Sequence, residues 1–506
     1  MTDFRHVPCM IALMIFASLL AVGCGTSSVT AVNGSKLTMH PLDNTLLLSQ
    51  DPIIFKLAGD GFIVTRISTE MEILIEKYNH DLTLAWSTPV PIAPPQQSTD
   101  VFEYSESTRY IIAEDIQMLL ENDKRLVMFS VRHGANDSIY EIGRVFDIAS
   151  GELLHTKTID SVPGTIKITR NFRQYEHAIS PDSSTIIFYT HQYDSAADLL
   201  AMRIVQTDIS LFVSAARTVP LRESYELQAL PMLWTNRSGD IYGITRRPKD
   251  TFEIMEYDFK SSGIARSMLI VFSDSTHRSA HPGQSAFNLN DRNTLRIIAS
   301  MENGDDLVGT ATTTCDLTGF TSDPVAYHPI TETALIDLFN DDDYSYAHQQ
   351  SVYSTDLAMG RYIICFEQLI TRVATEGRRE YISYRTGNAL LMGFDGAGAP
   401  TWQQGLRKNG RMVGGSLALL AMATQPTPRG TLRIVYRDDL DLRVVEYSLK
   451  DGTEIPGSRR QLLEMGNISG SSAPATTWLD EDTLLLLLQR QGLFSRDWSL
   501  GLVQMK

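Results

Sequence analysis

Beyond residue 36 the chain is a succession of short apolar runs rich in Val, Ile, Leu, Tyr and Thr, cut by Gly, Pro, Asn and Asp. No segment carries the three-and-four spacing of a long amphipathic helix, so the pattern predicts strands joined by turns. One unit recurs: an apolar or aromatic strand that ends in an acidic turn and leads into a further strand. Its copies are "EKYNHDLTLAW" (76–86), "RVFDIASGELLHTK" (144–157), "VQTDISLFVSA" (205–215), "MEYDFKSSGIARSML" (255–269), "TTCDLTGFTSDPV" (313–325), "MGFDGAGAPTWQQGL" (392–406) and "VEYSLKDGTEIPG" (445–457). Aligned on Asn79, Asp147, Asp208, Asp258, Asp316, Asp395 and Ser448, they return about every sixty residues. Asp suits this position because its carboxylate can accept a hydrogen bond from the backbone two residues on, and a following Gly supplies positive φ.

Upstream of each copy lies another strong β-run, such as "DGFIVTRIS", "KRLVMFSVR", "STIIFYTHQ" or "GTLRIVYRD", and before that a shorter one, such as "HAIS" or "SLALLAMA". Each unit therefore predicts four antiparallel strands in a meander, and radial repetition of such sheets is a β-propeller. The C-terminal "TTWLDEDTLLLLLQRQGLFSRDWSLGLVQMK" supplies only three strands, and "SKLTMHP" (35–41) has no unit of its own. The expected fold is thus all-β: a single β-propeller over 37–506, eight blades of four strands, closed by an N-terminal strand. A seven-bladed ring is the alternative, and a parallel solenoid a more distant one. The stretch "ISPDSSTIIFY" (179–189) resembles the Pro-Asp turn of Tol-type propeller repeats, related in shape to WD repeats, with Ser183 where Gly is usual. That resemblance implies a fold and brings no catalytic residues.

The start of the chain has its own pattern. The apolar run from Cys9 to Val22 has the length of a signal-peptide core and is short for a membrane span. It ends in Leu20-Ala21-Val22-Gly23-Cys24, which resembles a bacterial lipobox. The resemblance implies a signal peptide over 1–23, lipidation of Cys24, export to the cell envelope, and attachment to the membrane through the lipid. Gly25 in place of an Asp leans toward the outer membrane or cell surface. Residues 24–36 read as a flexible tether. Of the four cysteines, only Cys315 and Cys365 then remain in the folded part, either as separate buried thiols or as a pair.

Charge narrows the partners. Lys plus Arg number 44 against 60 Asp plus Glu, a formal net charge of −16, which argues against nucleic acid. No P-loop, dinucleotide fingerprint, zinc-protease motif or nucleophile elbow occurs, and no cofactor is implied. His177, Ser180 and Asp182 fall within six positions, but the repeat assigns them to a turn. In a propeller, the loops joining second to third strands share a face with those joining one blade to the next. That loop face is expected to carry His133, His191, Asp194, His277, His281, Asp341, Asp342, Asp343 and His348, a set that could bind a ligand or a metal if the loops converge. The acidic runs at 305–306, 438–441 and 480–482 lack the calcium-loop pattern and read as solvated turns. Trp86, Trp234, Trp402, Trp478 and Trp498 read as blade packing. The residues thus favour a binding scaffold for a protein, peptide or glycan at the envelope. The alternative is an envelope hydrolase or lyase using the loop face, and a structural part of an envelope assembly would instead show a large exposed apolar patch.

Overall fold

The computed structural model describes residues 29–43, 52–91 (apart from 58, 60, 69 and 71), 117–121, 124–133, 138–163, 175–194, 199–221, 232–247, 251–258, 263–272, 278–279, 286–289, 293–303, 306–334, 350–357, 361–376, 379–413, 422–439, 441–464, 471–491 and 496–505. The expected signal peptide and Cys24 lie outside these residues.

Eight antiparallel sheets follow one another along the chain. Blade one runs from Ile53–Lys56 to Leu84–Pro91, blade two from Gln117–Glu121 to Leu153–Pro163, and blade three from Glu176–Ile179 to Val213–Pro220. Blade four spans Met232–Thr235 to Gly263–Val271, and blade five Ala286–Leu289 to Ala326–Pro329. Blade six runs from Gln350–Asp356 to Pro400–Leu406, and blade seven from Ala423–Pro426 to Arg460–Glu464. Blade eight takes Ser471–Trp478, Thr483–Gln491 and Arg496–Gln504 from the C-terminus, and its outer strand is Lys36–Leu42. The eight-bladed propeller closed by an N-terminal strand is therefore the fold, and the seven-bladed alternative falls.

The closing strand pairs over its whole length, from Lys36 opposite Gln504 to Leu42 opposite Trp498. Behind it, the unbroken run Leu484–Leu488 serves two interfaces. Leu485 and Leu487 pack with Leu42, Phe62, Val64 and Tyr78 toward blade one. Leu484, Leu486 and Leu488 pack with Val435, Val444 and Leu463 toward blade seven. A strand covered on both faces reads as continuously apolar because alternate side chains enter different cores.

The recurring acids do what turn chemistry requires. Third strands end at or just before the aligned positions, and the turn lies at what we term the lower face. Asp147 Oδ1 accepts the Ser150 N–H at 2.7 Å, Asp208 Oδ1 that of Phe212 at 2.8 Å, and Asp395 Oδ1 those of Ala397 and Ala399 at 2.9 Å. These bonds hold the Asp147 carboxyl below the usual range. The left-handed residue each turn needs is Gly151 in blade two and Gly452 in blade seven, but Leu82 in blade one and Leu211 in blade three. Glycine is also sterically required at Gly151 and Gly452, where a Cβ would meet the rings of Trp86 and Trp402 from the preceding blade at 2.6 and 2.5 Å. Trp86 further donates to the Ile148 carbonyl at 3.0 Å. These tryptophans fasten one blade to the next.

Two expectations need correction. The tether assigned to 24–36 is fixed from residue 29 onward: Thr30–Ala31 forms a fifth strand beside Arg460–Glu464 of blade seven. The Val32 N–H donates to the Leu462 carbonyl at 3.1 Å, and Ala31 packs into the core between blades seven and eight. Composition marked this stretch as polar, but a free edge strand offers backbone partners to any chain that reaches it. The inner strand of blade seven is Ala423–Pro426, later than the expected run 416–423, whose residues before 422 lie outside those described.

A chain beginning at residue 29 is expected to melt in one cooperative transition. A chain beginning at residue 43, which bares the edge of Arg496–Gln504, is expected to lose that transition and elute as aggregate in size-exclusion chromatography. Equal behaviour of the two would refute the closure.

Candidate functional site

The opposite, upper face carries the second-to-third-strand hairpins and is where the candidate residues were expected. His133 ends the second strand of blade two, opposite Ile139, and Asp194 ends that of blade three, opposite Leu199. Both therefore lie at the upper ends of neighbouring blades, as the repeat implied. His277, His281, Asp341, Asp342, Asp343 and His348 lie outside the described residues. Among the described residues no three His, Cys, Asp or Glu groups gather as a metal site.

His191 is not a surface loop residue. It lies within the strand Thr185–Asp194, paired with Met202, and is only 9 % exposed. Its ring stands edge-on to that of Tyr189, two residues earlier on the same strand face, with centroids 6.0 Å apart. Tyr189 is itself fixed, donating to Glu176 Oε2 at 2.5 Å and accepting the Leu233 N–H of blade four at 3.4 Å. Among the described residues, none hydrogen-bonds His191 Nε2. Burial lowers the imidazole pKa to about 4, because the charged ring would have to shed its water. His191 is thus a neutral packing group between blades three and four.

The trio His177, Ser180 and Asp182 is a turn. Ser180 Oγ donates to Asp182 Oδ1 at 2.7 Å and accepts the Thr185 N–H at 3.0 Å, while Ser183 takes φ of 57°. The His177 ring lies against Phe129 of blade two, with centroids 5.5 Å apart, and not against Ser180. The acidic turns are likewise occupied from within: Asp438 accepts the Asn409 N–H and pairs with Arg443, and Asp480 accepts the Asp482 N–H. Trp402, Trp478 and Trp498 are buried, which leaves no sugar platform among them. Cys315 and Cys365 are separate buried thiols in different interblade cores, and burial pushes both pKa values up to about 12.

The sequence reading missed two features of the upper face. The first is a set of buried and partly buried ion pairs. Arg66 forms a bidentate pair with Glu76 at 2.9 Å, Arg203 of blade three reaches Asp160 of blade two at 3.1 Å, and Arg247 pairs with Glu253. The deepest is Lys408 with Glu367 in blade six, both wholly buried, with Lys408 Nζ also donating to Thr386 Oγ1 at 3.0 Å. The second is the hairpin that rises directly above that pair. Blade six has second and third strands of fifteen and sixteen residues, Tyr362–Glu376 and Arg379–Phe394, which pair up to Glu376 opposite Arg379. Their register shifts between Glu367 and Leu369, and Gly387 leaves room for Gln368 there: a Cβ would stand 1.9 Å from its Oε1. A short strand, Gly410–Val413, pairs with Ser383–Thr386 and buttresses the base. The signal was present: "ITRVATEGRREYISYRT" is two β-runs around a Glu-Gly-Arg turn.

Large apolar side chains are exposed at the lower face. Leu84 opens the outer strand of blade one, Leu153 and Leu154 that of blade two, and Val213, preceded by Phe212, that of blade three. Phe212 is 67 % exposed, Leu84 48 % and Leu154 46 %. They hold equivalent positions in consecutive blades whose edges touch: Thr88 of blade one donates to the Gly151 carbonyl of blade two, and Lys157 of blade two to the Ser210 carbonyl of blade three.

No protein-family model matches the chain, and no curated protein matches it. Solved structures that align with it are of varied kinds, a propeller, a WD40 domain and several enzymes among them. The Dos1 propeller aligns with a TM-score of 0.44 at 9 % identity, over 92 % of this chain and 94 % of that one. The WD40 domain of SCAP from fission yeast gives 0.37 at 9 %, over 92 % and 98 %. A europium-containing methanol dehydrogenase gives 0.43 at 8 %, over 95 % and 94 %. The fold stands on the strand pairing itself, and these likenesses carry neither activity nor ligand to this chain.

Two outcomes are expected. The folded pKa of His191 lies below its unfolded value, so the unfolded chain binds more protons between them and stability falls as pH drops from about 6.5 to about 4. Its share of that loss is at most about 3 kcal/mol, and His191→Gln should flatten the pH dependence of urea midpoints over this window. An unchanged slope would show His191 to be no buried neutral base. Lys408→Met leaves the Glu367 carboxylate uncompensated and should cost about 3–5 kcal/mol. Adding Glu367→Leu should restore most of it, which urea denaturation of the single and double variants measures.

Proposed function

We propose that the chain is an exported, lipid-anchored propeller that acts as a binding scaffold for another protein at the bacterial cell envelope. The address rests on the lipobox-like sequence ending at Cys24. The observation that carries the docking of a protein is the apolar arc of Leu84, Leu153, Leu154, Phe212 and Val213 along the lower edge of blades one to three, a feature that a structural part of an envelope assembly would share. Exposed apolar groups at equivalent places in adjoining blades lose free energy to water that a partner's apolar surface recovers, at about 25 cal/mol per Å² covered. Four of the five side chains are aliphatic, and Lys157 Nζ stands over the ring of Phe212 at 5.6 Å, which favours a protein surface over a glycan, since a glycan stacks on an open aromatic plane. The ring supplies rigidity, so little ordering entropy opposes docking.

The test is photo-crosslinking in intact cells. With p-benzoylphenylalanine at position 212, one discrete crosslinked protein is expected, and none with the same probe at Lys450 on the lower turn of blade seven. Leu154→Asp combined with Phe212→Asp should reduce co-purification of that protein at least tenfold while leaving the melting transition in place. Equal crosslinking at 212 and 450, or a double variant that still recovers the protein in full, would overturn the reading.

A further inference from the structure

We propose that the outer strand of blade four, Gly263–Val271, pairs edge to edge with the same strand of a second copy of this chain, antiparallel and centred on Leu269. The contact is separate from the apolar arc on blades one to three and depends neither on it nor on the lipid anchor.

The first observation is how the eight outer edges are protected. A proline has no N–H to offer a further strand, and a covered edge has none left to offer. Pro89 and Pro91 lie in the outer strand of blade one, Pro163 in that of blade two, Pro220 in that of blade three and Pro329 in that of blade five. Pro400 opens that of blade six and Pro41 lies in that of blade eight. Blade seven has no proline in its outer strand, and there Thr30–Ala31 covers the edge. Blade four has neither device: Gly263–Val271 contains no Pro and no Lys, and it ends its sheet with no further strand beside it among the described residues. Its exposed side chains are also the wrong kind for a free edge, with Leu269 64 % and Val271 56 % exposed.

The second observation is that this edge matches itself. Below Arg266 the register shifts and Ala265 is left without a partner, so the regular edge is Arg266–Val271. Within it Arg266, Met268 and Ile270 turn toward blade five: Ile270 and Met268 enter the core between blades four and five, and the Arg266 guanidinium lies 4.6 Å from the Phe320 ring. Ser267, Leu269 and Val271 share the other side. A two-fold axis at Leu269 sets Leu269 against its own copy and the large Val271 against the small Ser267 of the second copy, with Met268 against Ile270. Side chains directly opposite in an antiparallel pair lie on one side of the sheet, so the exposed Leu and Val cover one another. An axis one residue earlier would set Val271 against the bulge at Ala265. No charge falls within Ser267–Val271, and the adjacent Arg266 is neutralised by Glu256 at 2.5 Å. The net charge of −16 therefore places no like-charged pair across the contact. Pairing of a strand this short covers less than the roughly 1,200 Å² of a standard interface, so the two copies exchange with monomer and are best caught by trapping.

The experiment traps the pair as a disulfide in the purified full-length protein, with copper-phenanthroline as oxidant and the bonded peptides identified by mass. Cys315 and Cys365 are buried and stay out of the reaction. Leu269→Cys is expected to give a bond between two copies of residue 269. Ser267→Cys alone should give at least tenfold less, because the register holds the two copies of 267 about 13 Å apart along the strands, beyond the roughly 7 Å that a disulfide spans. Ser267→Cys combined with Val271→Cys should restore bonding, from 267 of one copy to 271 of the other. Adding Ser267→Lys and Val271→Lys to Leu269→Cys sets Lys against Lys and should cut the 269 bond at least tenfold with the melting transition in place. Absence of a 269 bond, equal bonding at 267 and 269, or a 269 bond that survives the two lysines overturns the pairing. Oxidation of intact cells that joins 269 to a different protein in place of itself assigns the edge to a foreign strand and likewise overturns it.

Discussion

The seven-residue ladder between Lys36–Leu42 and Trp498–Gln504 is the contact on which the ring depends. Every other blade is a local meander that pairs with itself, but blade eight is complete only when the two ends of the chain meet. Until then Leu485 and Leu487 lack Leu42, and the edge of Arg496–Gln504 lies open. The separation in sequence is nearly the whole chain, so the loop-closure entropy falls on this one pairing. The adjacent pairing of Thr30–Ala31 with blade seven reinforces it, since one continuous segment then bridges two blades and carries Val29, Ala31 and Leu37 into the core between them.

The frame of the propeller was legible because its determinants are local. The carboxylates of Asp147, Asp208 and Asp395 bond backbone N–H groups within four residues, so the turn can be read from a few letters. Leu82 and Leu211 escape the glycine rule, and there the cost of positive φ is met by burial of the side chain, at 4 % and 1 % exposure. What could not be read was set by partners far away. Thr30–Ala31 is a strand only because Arg460–Glu464 offers an edge. The hairpin above blade six has an ordinary β pattern, and its projection follows from Gly410–Val413 and the Glu367–Lys408 pair at its base.

The candidate site was legible in position and not in chemistry. The repeat fixed which ends of the strands face upward, and His133 and Asp194 are the last paired residues at two such ends. Direction is another matter, since alternate residues of one strand face opposite sides. His191 shares a side with Tyr189 and enters the core between blades three and four, while polar spacing alone suggested exposure. Buried charges are equally hidden from sequence. Arg66, Glu76, Glu367 and Lys408 look like surface residues until their partners are known, because only pairing makes their burial tolerable.

The two faces then divide the work by the way the chain enters. Docking of residues 30–32 on blade seven sets Thr30 at the upper rim, opposite Glu464, and the chain then turns at Asn33 and Gly34 to enter blade eight as Lys36–Leu42. The apolar arc at Leu84, Leu154 and Phe212 lies at the other end of the strands, on blades one to three. The segment that closes the ring therefore covers Arg460–Glu464 of blade seven and Arg496–Gln504 of blade eight, whose edges would otherwise be open, and leaves the outer strands of blades one to three to present their exposed side chains.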